Sequence, residues 1–140
     1  MASFTIERKI NLPLEKLWSV LGDFTRPPAP GIKLGVEKEG DPDRDGVGTI
    51  RTVTVGKDSF RQVIETVKPL HSYTYQMMDH PLMKGYHARF ELTGENDSTM
   101  IHYHAEIKPT IPLTGGIACF KAKAAVNKFL DLIEQHHCVK

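Results

Sequence analysis

The sequence predicts an α+β fold in which one long C-terminal helix grips the concave face of a seven-stranded antiparallel sheet. Apolar and polar side chains alternate over residues 4–10, which is the period of a half-buried strand. Strand and turn patterns then follow one another from residue 32 to residue 109, and an apolar stripe at helical spacing starts at Ile117. A short helical segment follows the first strand, because Pro13 favours a helix start and Gly22 favours its end.

Six further strands are expected between the two helices, since β-branched runs are separated there by turn residues. Their expected ranges are 32–39, 47–55, 60–67, 72–79, 86–92 and 99–108. The C-terminal helix is strongly amphipathic, with lysines and acids opposite one apolar stripe. That stripe consists of Ala118, Ala122, Ala125, Val126, Phe129, Leu130 and Ile133. With 140 residues, near the ~150 of one typical domain, residues 1–140 are expected to form a single domain.

Composition excludes several classes of partner. The chain carries 18 Lys and Arg against 17 Asp and Glu, a balance that argues against nucleic-acid binding and against a polybasic membrane anchor. Two cysteines are too few for a disulfide framework. No secretory signal is recognisable at the start, and no apolar run reaches the ~18 residues that favour a transmembrane segment. We therefore expect a cytoplasmic protein.

Several short motifs occur in a characteristic order along the chain. They are Leu17-Trp18, Asp23-Phe24, the segment from Gly46 to Arg51, Ile64-Glu65, the segment from Tyr73 to Tyr75, and the last strand from Thr99 to Pro109. This ordered set resembles the START-like (SRPBCC) superfamily, the helix-grip fold of the birch pollen allergen, and within it the polyketide cyclase/dehydrase and lipid-transport branch. The resemblance covers nearly the whole chain and implies a ligand cavity between the sheet and the C-terminal helix.

Arg51 and Glu65 are the charged candidates for that cavity. If the turn after residue 55 centres on Lys57 and Asp58, Arg51 lies near Glu65 among apolar neighbours on the concave face. A buried charge needs a partner, and a guanidinium with a carboxylate supplies one. The pair is either a polar anchor for a ligand or a structural ion pair, and a register slip would place Arg51 outside. The resemblance implies catalysis by such a pair in some enzymes.

Aromatic side chains on three strands predict the cavity wall. Tyrosines at a cavity wall combine apolar contact with hydroxyls that orient a ligand, although the same residues are common in ordinary cores. Phe120 lies off the main helical stripe and points either to the open end of the cavity or to a partner. The predicted ligand-cavity residues are Arg51, Glu65, Tyr73, Tyr75, Met77, Tyr86, Phe90, Tyr103 and Phe120.

No cofactor or metal is expected. Three histidines, His87, His102 and His104, fall on the convex face of the sheet, and His87 is expected to face His104. Strand spacing alone is weak support for zinc, and no CxxC or HExxH motif accompanies it. A solvated polar face is the better interpretation. No dinucleotide loop, phosphate loop or GxSxG elbow occurs.

Three functions remain open from the sequence. The first is binding of a small hydrophobic molecule, lipid-like or polyketide-like, between the sheet and the helix. The second is a cofactor-independent cyclase, dehydratase or isomerase in which Glu65 moves a proton and Arg51 stabilises negative charge. The third is an interaction protein with a collapsed cavity. The sequence indicates neither the ligand nor the oligomeric state.

Overall fold

A computed structural model describes residues 2–78, 85–108 and 115–138 of the chain. Its helices and strands follow one another in the order that the sequence predicts, with one helix after the first strand and another at the end. They are β1 (Ala2–Ile10), α1 (Leu14–Leu21), β2 (Ile32–Lys38), a 3-10 turn (Pro42–Arg44), β3 (Ile50–Val55), β4 (Asp58–Lys68), β5 (Ser72–Met78), β6 (His87–Glu95), β7 (Ser98–Ile107) and α2 (Gly115–Cys138).

The seven strands form one antiparallel sheet in the order β1-β7-β6-β5-β4-β3-β2. Consecutive strands pair as hairpins except at β1, which joins β7 at the far edge. The β3–β4 turn contains only Gly56 and Lys57, and Gly56 has a φ of 63°, a left-handed conformation that glycine adopts without a Cβ clash. The predicted fold class is confirmed.

One face of the sheet and α2 enclose the core. Along β3, β5 and β7 every second residue is buried, as a strand with one solvated face requires. From α2, Ala122, Val126, Leu130 and Ile133 are buried against that face. None of the helices in the described ranges is long and apolar enough to cross a membrane.

The C-terminal half of α2 is fixed to the sheet and to the proline-containing loop before β2. Arg8 of β1 lies 2.6 Å from Asp131 and 3.0 Å from Glu134, and its side chain is only 21% exposed. His137 lies within hydrogen-bond distance, 2.8 Å, of the Pro28 carbonyl oxygen. These contacts anchor the C-terminal half of α2.

Helix α1 covers one end of the core. Leu17 and Leu21 are buried, and the Trp18 ring meets Tyr73 edge to face at 6.4 Å. Gly22 ends the helix with its N–H donating to the Trp18 carbonyl, and a Cβ at this position would lie 2.6 Å from the indole ring. Glycine therefore allows the chain to pass the tryptophan as it enters the loop that carries Phe24.

Candidate functional site

A cavity of about 40 Å³ lies between the concave face of the sheet and α2. Its volume is enough for a few water molecules, since one water needs roughly 10–15 Å³ measured in this way. Strands β3 to β6, the residue before β6, and α2 all contribute to it. The sheet side is lined by Arg51, Val53, Val55, Phe60, Gln62, Tyr73, Tyr75, Met77, Tyr86 and Phe90, and the helix side by Ala122, Ala125, Val126 and Phe129.

Arg51 is the charged side chain of this wall and is 4% exposed. Its Nε donates to Gln62 Oε1 at 3.3 Å, and its Nη1 donates to the Phe24 carbonyl oxygen at 3.4 Å. The guanidinium also lies 5.4 Å from the centre of the Phe24 ring, within range of a cation–π interaction. Both hydrogen-bond acceptors are neutral, so they satisfy N–H groups without balancing the charge.

No carboxylate in the described part of the chain forms an ion pair with Arg51, although Arg8, Arg26, Arg61 and Arg89 all form one. Removing a charge from water is expensive, and such groups are normally paired when buried. A buried, hydrogen-bonded and uncompensated guanidinium on a cavity wall is therefore suited to receive an anionic group.

The predicted proximity of Arg51 to Glu65 is wrong. Because the β3–β4 turn has only two residues, Arg51 pairs with Gln62 instead of Glu65. The register is shifted by three residues, and an odd shift places the opposite set of β4 side chains on the concave face. Glu65 sits at a bulge on the opposite face, where its side chain is 39% exposed and lies 3.2 Å from His87 Nδ1. Gln62 lies opposite Arg51, where Glu65 was expected. A two-residue turn of Gly56 and Lys57 in the sequence would predict this pairing.

Glu65 variants are expected to leave ligand binding unchanged. Glu65→Ala removes a carboxylate from the convex face, so its affinity for a cavity ligand should stay within about twofold of the wild type, as for a surface substitution. Gln62→Leu, on the concave face, should weaken binding because Arg51 loses the acceptor that orients it. Titration calorimetry on both variants checks this. A large loss in Glu65→Ala alone would contradict the observed register.

All four tyrosines of the chain are buried around the cavity. The hydroxyls of Tyr75 and Tyr103 are 2.8 Å apart, and the hydroxyl of Tyr86 also bonds that of Tyr103. We call Tyr75, Tyr86 and Tyr103 the hydroxyl cluster. Burial raises the pKa of Tyr86 to about 12 and the pKa of Tyr75 and Tyr103 well above the ordinary value. The cluster is therefore uncharged at neutral pH.

The Tyr73 ring is also next to that of Tyr75, but its hydroxyl interacts with Arg51 instead of with the cluster. Burial raises its pKa, and the Arg51 guanidinium opposes that rise by stabilising the phenolate. The Tyr73 ring stacks on Phe90 at 5.1 Å and meets Phe24 edge to face at 5.0 Å. Its hydroxyl lies beside Arg51, in the polar part of the cavity that Arg51 and Gln62 form.

Alkaline titration should reveal this burial directly. In the folded protein the phenol pKa values lie above the unfolded value near 10, so the folded state retains its protons more tightly. The resulting stability is complete below pH ~10 and is lost as pH rises from 10 through about 12. The absorbance of phenolate should appear at the same pH at which the protein unfolds, and circular dichroism monitors the unfolding. Titration of any tyrosine near pH 10 in the folded protein would contradict the structure.

The structure places the other predicted cavity residues in three kinds of position. Tyr73, Tyr75, Met77, Tyr86 and Phe90 line the cavity together with Arg51. Tyr103 is fully buried behind the lining and reaches it through the hydroxyl cluster. Phe120 is 78% exposed near the start of α2, so its predicted place in the cavity is wrong. The reason is that the helical stripe facing the sheet passes through Ala122, two residues further on.

The convex-face histidines do not assemble a metal site. In the β6–β7 register His87 pairs with Glu106 and Arg89 pairs with His104, so the expected facing of His87 and His104 is wrong. Each histidine instead lies near a single carboxylate on the exposed face. Within the described ranges no group of three His, Cys, Asp or Glu residues is arranged to hold a metal ion.

A larger depression, of about 520 Å³, opens on the surface beside α1. Asp23, Glu39 and Asp45 line it together with Trp18 and Phe24. It is open to solvent, which hydrates these carboxylates. The smaller internal cavity is the better candidate site, because buried polar groups converge there on an apolar wall.

A long helix closing an antiparallel sheet over an apolar cavity with a few buried polar groups defines a helix-grip protein of the START-like class. The chain belongs to the family described as polyketide cyclase / dehydrase and lipid transport, whose model matches residues 1–137. The family and fold suggest a protein that binds hydrophobic ligands or acts as a polyketide cyclase. A search of functionally curated proteins found no match.

Solved structures share the fold at low sequence identity. A START superfamily protein from Mycobacterium smegmatis superposes with a TM-score of 0.76 at 15% identity, covering 96% of this chain and 95% of its own. The XoxI protein from Bacillus cereus gives 0.75 at 19% identity, with 96% and 94% covered. Ara h 8.0201 gives 0.67 at 19% identity, with 94% of each chain covered.

Proposed function

We propose that this protein binds a small hydrophobic molecule that carries a carboxylate or a comparable anionic group. The observation that supports this most is Arg51, a buried guanidinium on the cavity wall with neutral hydrogen-bond partners and no ion pair among the described residues. A ligand carboxylate would supply the missing charge. The apolar and aromatic wall would bury the rest of the molecule and provide most of the affinity.

The geometry around Arg51 favours recognition of a planar anion. Its Nε and Nη1 donate to Gln62 and to the Phe24 carbonyl, which hold the guanidinium plane. The remaining N–H groups of the guanidinium can donate to both oxygens of a carboxylate. The Tyr73 hydroxyl lies beside the guanidinium and can donate to the same anion. Charge-assisted hydrogen bonds of this kind are worth about 1.5–3 kcal/mol each.

Binding requires part of α2 to move, because about 40 Å³ is too small for a hydrophobic molecule of several carbons. The C-terminal half of the helix is held by Arg8 and His137. Over the cavity, the described ion pair is Lys121 with Asp58 at 3.4 Å, and both side chains are more than 40% exposed. Such a pair contributes little, so we propose that the N-terminal half of α2 swings outward to admit the ligand.

Binding is proposed rather than catalysis by an Arg–Glu pair. Glu65 lies on the other face of the sheet, and the described cavity wall contains no carboxylate that would act as a general base. An interaction protein with a collapsed cavity is the less favoured alternative, because a cavity is open beside the buried Arg51. A single domain, a cytoplasmic location and the absence of nucleic-acid binding remain parts of this proposal, motivated by length, cysteine content and charge balance.

Titration calorimetry with two matched probes tests the proposal. Naphthalene-2-carboxylate and naphthalene-2-carboxamide have nearly the same shape and differ in charge. The carboxylate should bind at least about tenfold more tightly, as expected for one charge-assisted hydrogen bond, and Arg51→Met should remove the difference. Equal affinity of the two probes for the wild type, or no binding of either, would overturn the proposal.

A further inference from the structure

The cavity contains a second group of polar atoms in addition to Arg51. Tyr75 and Tyr86 line the cavity, and Tyr103 lies directly behind them, with the three hydroxyls bonded to one another. We infer that the hydroxyl cluster is a second polar subsite, which accepts a hydroxyl group carried by the ligand at a distance from its anionic group. This inference rests on the proposed function and deepens it, because it names the ligand class as hydrophobic hydroxy acids.

The two polar subsites stand at different places along one aromatic wall. Tyr73 is beside Arg51, the Tyr75 ring lies 6.2 Å from the Tyr73 ring, and the Tyr86 ring lies 6.2 Å from the Tyr75 ring. Met77 and Phe90 add apolar surface to the wall, and the facing α2 residues are Ala122, Val126 and Phe129. A ligand that lies along this wall meets the Arg51 cation beside Tyr73, the aromatic and apolar side chains, and the hydroxyls of Tyr75 and Tyr86.

Counting donors and acceptors shows what the hydroxyl cluster can bind. Each phenol has one O–H donor and an oxygen that also accepts. Two hydrogen bonds join the cluster, Tyr75 with Tyr103 and Tyr86 with Tyr103, and these two bonds leave at least one of the three phenol oxygens without a donor from them. The surroundings are apolar, and Tyr75, Tyr86 and Tyr103 are 4%, 1% and 0% exposed. A ligand O–H would find there an acceptor that water reaches poorly.

The protonation state of the cluster supports the same role. Burial raises the pKa of all three phenols, so they stay neutral across the physiological range and do not attract a second cation or repel the ligand's anionic group. The anionic group is thereby directed to Arg51 and the hydroxyl to the cluster. The two subsites together fix the direction in which the ligand lies.

The experiment compares naphthalene-2-carboxylate with 6-hydroxynaphthalene-2-carboxylate by titration calorimetry on the wild type, Tyr86→Phe and Tyr75→Phe. These probes share one rigid skeleton and differ only in the hydroxyl. In the wild type the hydroxyl should increase the affinity by about three- to tenfold, the value of one neutral hydrogen bond. In Tyr86→Phe the ratio of the two affinities should fall to about one, whatever happens to the affinity for the plain carboxylate. Tyr75→Phe provides a second route should Tyr86→Phe fold poorly.

Tyr73→Phe is the matched control, because it also removes one buried phenol oxygen but leaves the hydroxyl cluster intact. It should weaken both acids alike and preserve the gain from the hydroxyl. A purely structural role for the cluster would change unfolding without changing the ratio of the two affinities. Equal affinity of the two acids for the wild type, or an undiminished gain in both Tyr75→Phe and Tyr86→Phe, would overturn this inference alone. Binding of neither acid would overturn the proposed function and this inference with it.

Discussion

Replacing Arg51 by methionine is expected to abolish the preference for anionic ligands and to leave the ligand-free protein at least as stable as the wild type. Most core substitutions destabilise, by about 0.5–3 kcal/mol. Arg51 should differ because its buried charge has no counter-charge among the described residues, and methionine of similar length removes that desolvation penalty. Its neutral partners, Gln62 and the Phe24 carbonyl, would each lose one long hydrogen bond.

Chemical denaturation and calorimetry on the same preparation measure both effects. Arg89→Met is the control: it removes one arginine from β6 on the exposed face, where the side chain pairs with Glu91 and is 53% exposed. That variant should bind naphthalene-2-carboxylate like the wild type. A fall of more than ~2 kcal/mol in the unfolding free energy of Arg51→Met, with anion preference retained, would make Arg51 a structural centre instead.

A larger side chain on the helix side of the cavity is also expected to weaken ligand binding strongly. Ala122 is 2% exposed and lines the cavity, and Ala122→Leu adds an isobutyl-sized side chain to a void of about 40 Å³. The affinity for naphthalene-2-carboxylate should fall by at least about tenfold, because the ligand would have to displace the new side chain as well as the helix. The unfolding free energy should change by less than ~2 kcal/mol, since part of the added volume enters empty space.

Ala124→Leu tests the position rather than the chemistry. Ala124 lies on the exposed face of the same helix, so the same enlargement there should alter neither binding nor stability by more than a few tenths of a kcal/mol, as at ordinary surface sites. Equal ligand affinity in Ala122→Leu and Ala124→Leu would mean that the ligand does not occupy the space between the sheet and α2.

The fold was predictable because each element is encoded locally. The period of two in β1, the turn residues between strands and the apolar stripe of α2 are properties of short segments, and the structure confirms the elements they predict. The start of β3 was less well predicted. It begins at Ile50 rather than at residue 47, because Gly46 and Gly48 both adopt positive φ and carry the chain around a turn.

The site was predictable only where the face of a strand follows from its own pattern. Arg51 and the tyrosines share faces with apolar neighbours, so their side of the sheet could be read from the sequence. Glu65 depended on the register between two strands, and an error in the length of one turn moved it to the opposite face. The same register decides that Gln62 faces the cavity. The hydroxyl cluster joins β5, β7 and the residue before β6, and such convergence depends on ring directions that a single sequence does not specify.

The place where the anion binds can be measured in a crystal structure of the complex with naphthalene-2-carboxylate. We expect the carboxylate within hydrogen-bond distance of the Arg51 guanidinium, the rings against Tyr73 and Phe90, and the N-terminal half of α2 displaced outward from the ligand-free position. Binding in the surface depression beside Trp18, or binding with Arg51 still facing only Gln62 and Phe24, would contradict it.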